Sequence, residues 1–144
     1  MQARTYRSGS EDETRRLGER LGARLRGGEI VLLCGDLGAG KTQFVKGIGR
    51  ALGVEVDVVS PTFTMAARYA GRLPLVHYDL YRVRGAGELV ELGYLEGDDP
   101  LEVSVVEWGD RAAVPAGALE VHLEVEPEGG RRIEVRGIDL DAGS

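Results

Sequence analysis

Cysteine, basic charge and long apolar runs are all scarce in this chain, and each shortage removes a class of protein. The single cysteine, Cys34, has no partner for an intramolecular disulfide and cannot form a cysteine-held zinc site. Acidic residues outnumber basic ones by 24 to 18, for a formal net charge of -6. That balance makes a poor autonomous binder of nucleic-acid backbones, whose affinity comes largely from Lys and Arg. Met1-Gln2-Ala3-Arg4-Thr5-Tyr6 contains no apolar signal-peptide core, and no stretch reaches the length that crosses a bilayer. The expected location is therefore cytoplasmic, with no membrane partner. No repeat, low-complexity tract or linker interrupts the chain. Its 144 residues are read as a single domain over 1–144, with the 42% hydrophobic content of an ordinary globular protein.

Turns and periodicity divide what remains into elements. Thr5 to Ser8 suits a short edge strand. Ser10-Glu11-Asp12-Glu13 has the form of a capping box, in which a Ser hydroxyl and a Glu carboxylate satisfy free N–H groups at a helix start. Leu17, Leu21 and Leu25 then recur on one helical face, and Gly27-Gly28 ends the helix. Glu29 to Cys34 is short, apolar and rich in β-branched residues, as in a strand buried on both faces. Lys41 to Leu52 places Phe44, Val45, Ile48 and Leu52 on one broad helical face, with Gly53 as C-cap. Asp57 to Thr64 reads as a loop leading into a strand near Phe63 to Tyr69. A turn at Ala70-Gly71-Arg72 leads to a strand from Leu73 to Tyr81. Gly85-Ala86-Gly87 precedes a short helix over Glu88 to Leu92, and Asp98-Asp99-Pro100 precedes a strand from Leu101 to Trp108. Leu119 to Glu126 and Arg132 to Ile138 alternate apolar and polar residues around Pro127-Glu128-Gly129-Gly130, a hairpin signal.

Between the apolar strand and the second helix lies Gly35-Asp36-Leu37-Gly38-Ala39-Gly40-Lys41-Thr42, which matches the phosphate-binding spacing G-x-x-x-x-G-K-[ST]. Glycines let backbone N–H groups approach phosphate oxygens. The helix that follows points unpaired N–H groups and a partial positive charge at the same anion. Lys41 is expected to neutralise the β and γ oxygens, and the Thr42 hydroxyl to bind Mg2+. The strand, loop and helix order gives the fold class α/β, a P-loop NTPase-like sheet of mixed strands flanked by helices.

Hydrolysis also needs an acid for the metal and a group that orients water. Asp79 and Glu107 each end an apolar strand, and ligands of open α/β sheets collect at the carboxyl ends of strands. Either acid suits the metal. Ser60-Pro61-Thr62 offers hydroxyls to sense a γ-phosphate or to start the next strand. His77, set among apolar residues, reads as a packed and hydrogen-bonded side chain more readily than as a base. His122 reads as surface on an edge hairpin. Trp108 has two uses open to it, stacking and core packing.

Five segments in order resemble the bacterial TsaE family: Gly35 to Thr42, Ser60-Pro61-Thr62-Phe63-Thr64, His77-Tyr78-Asp79-Leu80-Tyr81-Arg82, Glu88-Leu89-Val90-Glu91-Leu92-Gly93 and Val106-Glu107-Trp108. The resemblance runs from the Ser10-Glu11 helix start to Arg131-Arg132. It implies a weak Mg2+-dependent ATPase required for threonylcarbamoylation of adenosine 37 in tRNAs reading ANN codons. The implied partners are the TsaB and TsaD proteins, with tRNA met indirectly through their complex and the transfer itself carried out by TsaD. ATP as the cofactor also rests on the resemblance, since no guanine-reading Asn-Lys-x-Asp segment is present.

Carried over by residue, the family implies that Asp36, Leu37, Gly38, Ala39, Gly40, Lys41, Thr42 and Gln43 wrap the phosphates. Thr42 and Glu107 would hold Mg2+, with Asp79 in the metal's outer shell or positioning water. Lys41, Asp79 and Glu107 thus form the expected catalytic set. Thr62 would belong to a switch-like loop. Ser10 and Thr14 would lie near the base, and Arg131 and Trp108 near the nucleotide. Gly109 departs from the Pro that often follows Glu-Trp in the family, and Tyr78 from its usual Phe or Leu; neither removes a ligand. A small-molecule kinase sharing the loop is the alternative. It would need an Arg-bearing lid, for which no long insertion exists and only Arg82 and Arg84 lie nearby.

Overall fold

The computed structural model describes residues 3–35, 39–56, 58, 66–80, 93–97, 99–107 and 117–140. Ser10 starts helix α1 (Glu11–Arg24) as a capping box would. The Glu13 N–H donates to Ser10 Oγ at 3.1 Å, a bond of the kind worth about 1 kcal/mol. The Glu13 carboxylate accepts from the Gly9 N–H, one residue before the cap. Leu17, Leu21 and Leu25 are buried together, so the apolar stripe faces the core.

Among the described residues, seven strands form one sheet: β1 (Ala3–Ser8), β2 (Ile30–Gly35), β3 (Ala66–Tyr69), β4 (Leu75–Asp79), β5 (Val103–Glu107), β6 (Leu119–Val125) and β7 (Arg131–Arg136). Their order is β1-β7-β6-β2-β5-β4-β3. β2 runs parallel to both β5 and β6, and β4 is parallel to β5; the β1–β7, β6–β7 and β3–β4 pairs are antiparallel. The mixed α/β sheet is the expected class. β1 is an edge strand, as its sequence implied. The β6–β7 hairpin is not at an edge, because β1 covers β7 and β2 covers β6. β7 begins at Arg131, one residue before the expected start, and ends at Arg136. β4 and β5 are each shorter than the apolar runs that announced them. The expected helix over Glu88 to Leu92 lies outside the described residues.

One face of the sheet carries the main core. Val31, Leu33, Leu75, Val103, Val105, Val121, Leu123, Ile133 and Val135 pack there against α1 and helix α2 (Lys41–Ala51). The opposite face holds a smaller cluster of Val76, Tyr78, Leu80 and Val106, with Tyr94 and Leu95 against it. The Tyr78 and Tyr94 rings meet edge to face at 5.1 Å, a favoured aromatic geometry.

The two helices cross with their backbones almost touching. A Cβ on Gly18 would sit 2.1 Å from the Phe44 carbonyl oxygen, and one on Gly47 would sit 2.0 Å from that of Arg15. Only residues without a side chain allow this approach. Arg72, whose segment suggested no more than a turn, closes the far end of both helices. Its guanidinium donates to the Ala51 carbonyl at 3.1 Å and the Gly22 carbonyl at 3.3 Å, satisfying terminal acceptors and meeting the negative helix ends. No helix among the described residues is long and apolar enough to cross a membrane.

Candidate functional site

The Gly-rich segment joins β2 to α2 at the carboxyl end of the parallel strands. Gly40 is the N-cap of α2 and takes φ +97, a left-handed conformation that glycine adopts without strain. It makes no side-chain cap bond, and the first turn of α2 holds no acidic residue. The helix start is thus chemically suited to an anion, with N–H groups that the helix itself cannot satisfy. Ala39 is buried in the main core and anchors the loop's end. Asp36, Leu37 and Gly38 lie outside the described residues.

Lys41 is buried, with 6% of its surface exposed. Its Nζ donates to the Gly35 carbonyl at 2.7 Å and stands 3.8 Å from Glu107 Oε1. Parallel pairing explains the meeting. β2 and β5 align Leu33 with Glu107, and β4 and β5 align Asp79 with Glu107. Both acids therefore sit side by side at the carboxyl ends of adjacent strands, on the face beneath α2. Glu107 is buried and Asp79 half-buried. At 3.8 Å the Lys41–Glu107 pair is too long for a direct hydrogen bond. Burying such charges costs several kcal/mol per ion before their attraction offsets it. An arrangement of that kind is poor support for a fold, and it marks a candidate site.

His77 lies two residues before Asp79 on the same face and has no exposed surface. Its Nε2 contacts Glu107 Oε2. The packed, hydrogen-bonded character expected of it is observed, and the partner is the acid of the site. His122 is half-exposed, 3.2 Å from Glu120 Oε1, so it is a surface side chain, though on an interior strand of the sheet.

A second group of residues includes a neighbour of Gly40. A Cβ on Gly40 would lie 3.4 Å from Thr14 Cγ2, so the first turn of α1 rests against the loop. Thr14 is buried, and its hydroxyl is 2.7 Å from that of Ser8. Ser10 serves as the helix cap. Arg131 is in register with Ser8 at the start of β7, and its guanidinium donates to the Gly130 carbonyl at 3.1 Å. Thr14 is thus a neighbour of the loop, with Ser10 at the start of the same helix and Arg131 in register with Ser8, while Glu107 meets the loop at Lys41 with Asp79 beside it in register. Gln43 Oε1 accepts from Arg15 at 2.9 Å, and Thr42 is half-buried at the first turn of α2. Thr62 and Trp108 lie outside the described residues.

Three participants escaped the sequence: Ser8 behind Thr14, Arg15 on Gln43, and the link from His77 to Glu107. The two-residue spacing of His77 and Asp79 was a usable signal for the last, because such residues share a strand face.

The donor set can be tested against Mg2+. Among the described residues no group of three or more His, Cys, Asp or Glu forms a metal cage. Mg2+ does not need one: it keeps several waters and is held by one or two protein oxygens together with phosphate. A hydroxyl at Thr42 and a carboxylate at Glu107, both oxygen donors beside the loop, suit that habit.

The family model described as Threonylcarbamoyl adenosine biosynthesis protein TsaE matches residues 8–133. The chain is similar to the tRNA threonylcarbamoyladenosine biosynthesis protein TsaE of Treponema pallidum, at 41% identity over 130 residues covering 89% of this chain and 96% of that protein. The protein of that name from Nostoc sp. is 40% identical over 131 residues, covering 87% and 80%. The crystal structure of Bacillus subtilis YdiB superposes with a TM-score of 0.74 at 30% identity, covering 93% of this chain and 84% of that one.

Proposed function

This chain belongs to the TsaE family, and we propose that it is a weak Mg2+-dependent ATPase of tRNA threonylcarbamoyladenosine biosynthesis. It acts in the cytoplasm with TsaB and TsaD proteins on tRNAs that read ANN codons, and meets tRNA only through that complex. It does not itself transfer the threonylcarbamoyl group. The observation that carries the ATPase reading is the convergence of buried Lys41 and Glu107 beside the uncapped start of α2.

Each group then has a chemical part. The Gly35–Thr42 backbone and the α2 start bind phosphate oxygens through N–H groups and the positive end of the helix. The Lys41 ammonium, held near the loop by the Gly35 carbonyl, neutralises the β and γ oxygens. Thr42 and Glu107 hold Mg2+, which when bound disperses the charge that develops on the phosphates. Asp79, beside Glu107 in register, orients water or the metal's outer shell. Ser10 and Thr14 flank the nucleotide from α1. Each hydroxyl can keep its present hydrogen bond and make another, since it combines one donor with two acceptor positions. Arg131, Thr62 and Trp108 complete the contacts that the family implies.

The deciding experiment combines pull-down and turnover. The purified chain should hydrolyse ATP slowly and faster once TsaB, TsaD and tRNA are added. Capture of TsaB and TsaD should depend on ATP, and a modification assay should lose product when the chain is left out. Phosphate moving onto a nucleoside or sugar, with no response to TsaB and TsaD, would replace this reading with a small-molecule kinase.

A further inference from the structure

His77 is a titratable side chain at the site, among the described residues, for which the proposed ATPase reading has no use. It is fully buried on β4, on the same sheet face as Leu75, Val103 and Val105, where apolar residues pack well. Its Nδ1 has no hydrogen-bond partner among the described residues. A buried polar atom without a partner costs stability, and an apolar side chain of similar volume avoids that cost. Core packing alone is thus a weak reason for an imidazole here.

The other nitrogen supplies a better one. Nε2 meets Glu107 Oε2, and a carboxylate can only accept, so the proton of this contact sits on Nε2. His77 and Glu107 are diagonal neighbours, because β4 pairs His77 with Val105 and Asp79 with Glu107. That diagonal is within reach of long side chains. With Oε2 held from the β4 side, Oε1 is left facing Lys41, 3.8 Å away.

We infer that His77 is a positioning residue: its buried Nε2–H fixes the Glu107 carboxylate so that Oε1 is presented to a divalent cation beside the bound phosphates. The inference rests on the nucleotide reading above. With no exposed atom, His77 acts through Glu107 and does not touch substrate. Carboxylates that ligate metals are commonly held by such a second hydrogen bond, whose loss costs about 10- to 100-fold in metal affinity or activity.

The test separates metal from nucleotide. ADP binding is measured by titration calorimetry with Mg2+ and again with EDTA, on the parent chain, His77→Leu and His77→Gln. Thermal melting in EDTA is followed alongside. His77→Leu should bind metal-free ADP within about twofold of the parent and lose about tenfold of the Mg2+ enhancement, without melting earlier. His77→Gln, whose amide N–H can replace Nε2–H, should recover most of the enhancement. Should His77→Leu fail to fold, His77→Asn replaces it, because its amide is one methylene shorter and falls short of Glu107.

Equal Mg2+ enhancement in parent and His77→Leu overturns the inference. So does a parallel loss with and without metal accompanied by earlier melting, which would mean packing alone. A parent chain that binds no Mg2+-nucleotide overturns the nucleotide reading and this inference together. A parent that binds it, matched by His77→Leu, overturns this inference alone.

Discussion

At the carboxyl ends of β4 and β5, Glu107 and His77 are buried, whereas Glu124, Arg132 and Arg136 on β6 and β7 lie at the surface. Both regions pair opposite charges. Arg132 meets Glu124 at 2.8 Å, and Arg136 meets Glu134 at 2.8 Å. Exposed pairs of this kind contribute about 0–1 kcal/mol and are screened by salt. The Lys41–Glu107–His77 group sits in the interior, where desolvation is costly and an unpaired charge costs more. Parallel strands covered on both faces hold the candidate site. The antiparallel half, with alternating polar and apolar residues, extends the sheet and brings Arg131 beside Ser8. What separates the two halves is therefore the cost of keeping charge where it is, and that cost marks the site.

The largest effect is expected at the support that both halves share, the crossing of α1 and α2. Gly47→Val forces a side chain into the Arg15 carbonyl and should cost about 3 kcal/mol or more. Urea denaturation reads this as a lower midpoint, and an unchanged midpoint would mean that the helices do not approach this closely. A smaller effect sharpens the contrast between the halves. Glu107→Ala leaves the Lys41 ammonium without this counter-charge and the His77 Nε2–H without this acceptor. It should cost about 1–3 kcal/mol of stability and reduce Mg2+-dependent hydrolysis more than metal-free nucleotide binding. Glu124→Ala, at the surface, should stay within about 0.5 kcal/mol and leave hydrolysis intact. Equal losses from the two substitutions would erase the distinction.

The smallest effect tests the minor cluster on the opposite face. Burial first, and the nearby Tyr78 second, raise the Tyr94 hydroxyl above its ordinary value of 10.0. A raised folded-state value means that its contribution to stability is fully present below pH 10.0 and is lost as the pH climbs through the folded value. Tyr94→Phe should flatten that alkaline decline. Denaturation midpoints on either side of pH 10.0 measure it, and an unaltered slope would remove Tyr94 as the cause.

Local features were legible in the sequence because their causes are local. The Ser10 cap, the Gly40 helix entry and the Pro127–Gly130 turn each depend on residues a few positions apart. The sheet order was not legible in the same way. β6 looked like half of an edge hairpin, and only its parallel pairing with β2, far back in the chain, makes it interior. The meeting of His77 with Glu107 likewise depends on the β4–β5 register, which no local periodicity specifies. The helix crossing left a trace that local reading passed over: Gly18 and Gly22 recur four residues apart on α1, opposite Gly47 and Ala51 of α2. The resemblance named the residues around the loop. It did not reveal that Thr14 shares its hydroxyl with Ser8, nor that Arg15 holds Gln43.

The central claim is that the Gly35–Thr42 loop and the buried Lys41 bind a nucleoside triphosphate. Calorimetric titration of ATP with Mg2+ into the parent chain and into Lys41→Ala tests it most directly. The account predicts one site per parent chain and an affinity lower by about 100-fold or more in Lys41→Ala, roughly the loss of two charge-assisted hydrogen bonds, while the variant still melts cooperatively. Equal affinity in the two proteins, or no binding by a well-folded parent, would contradict it.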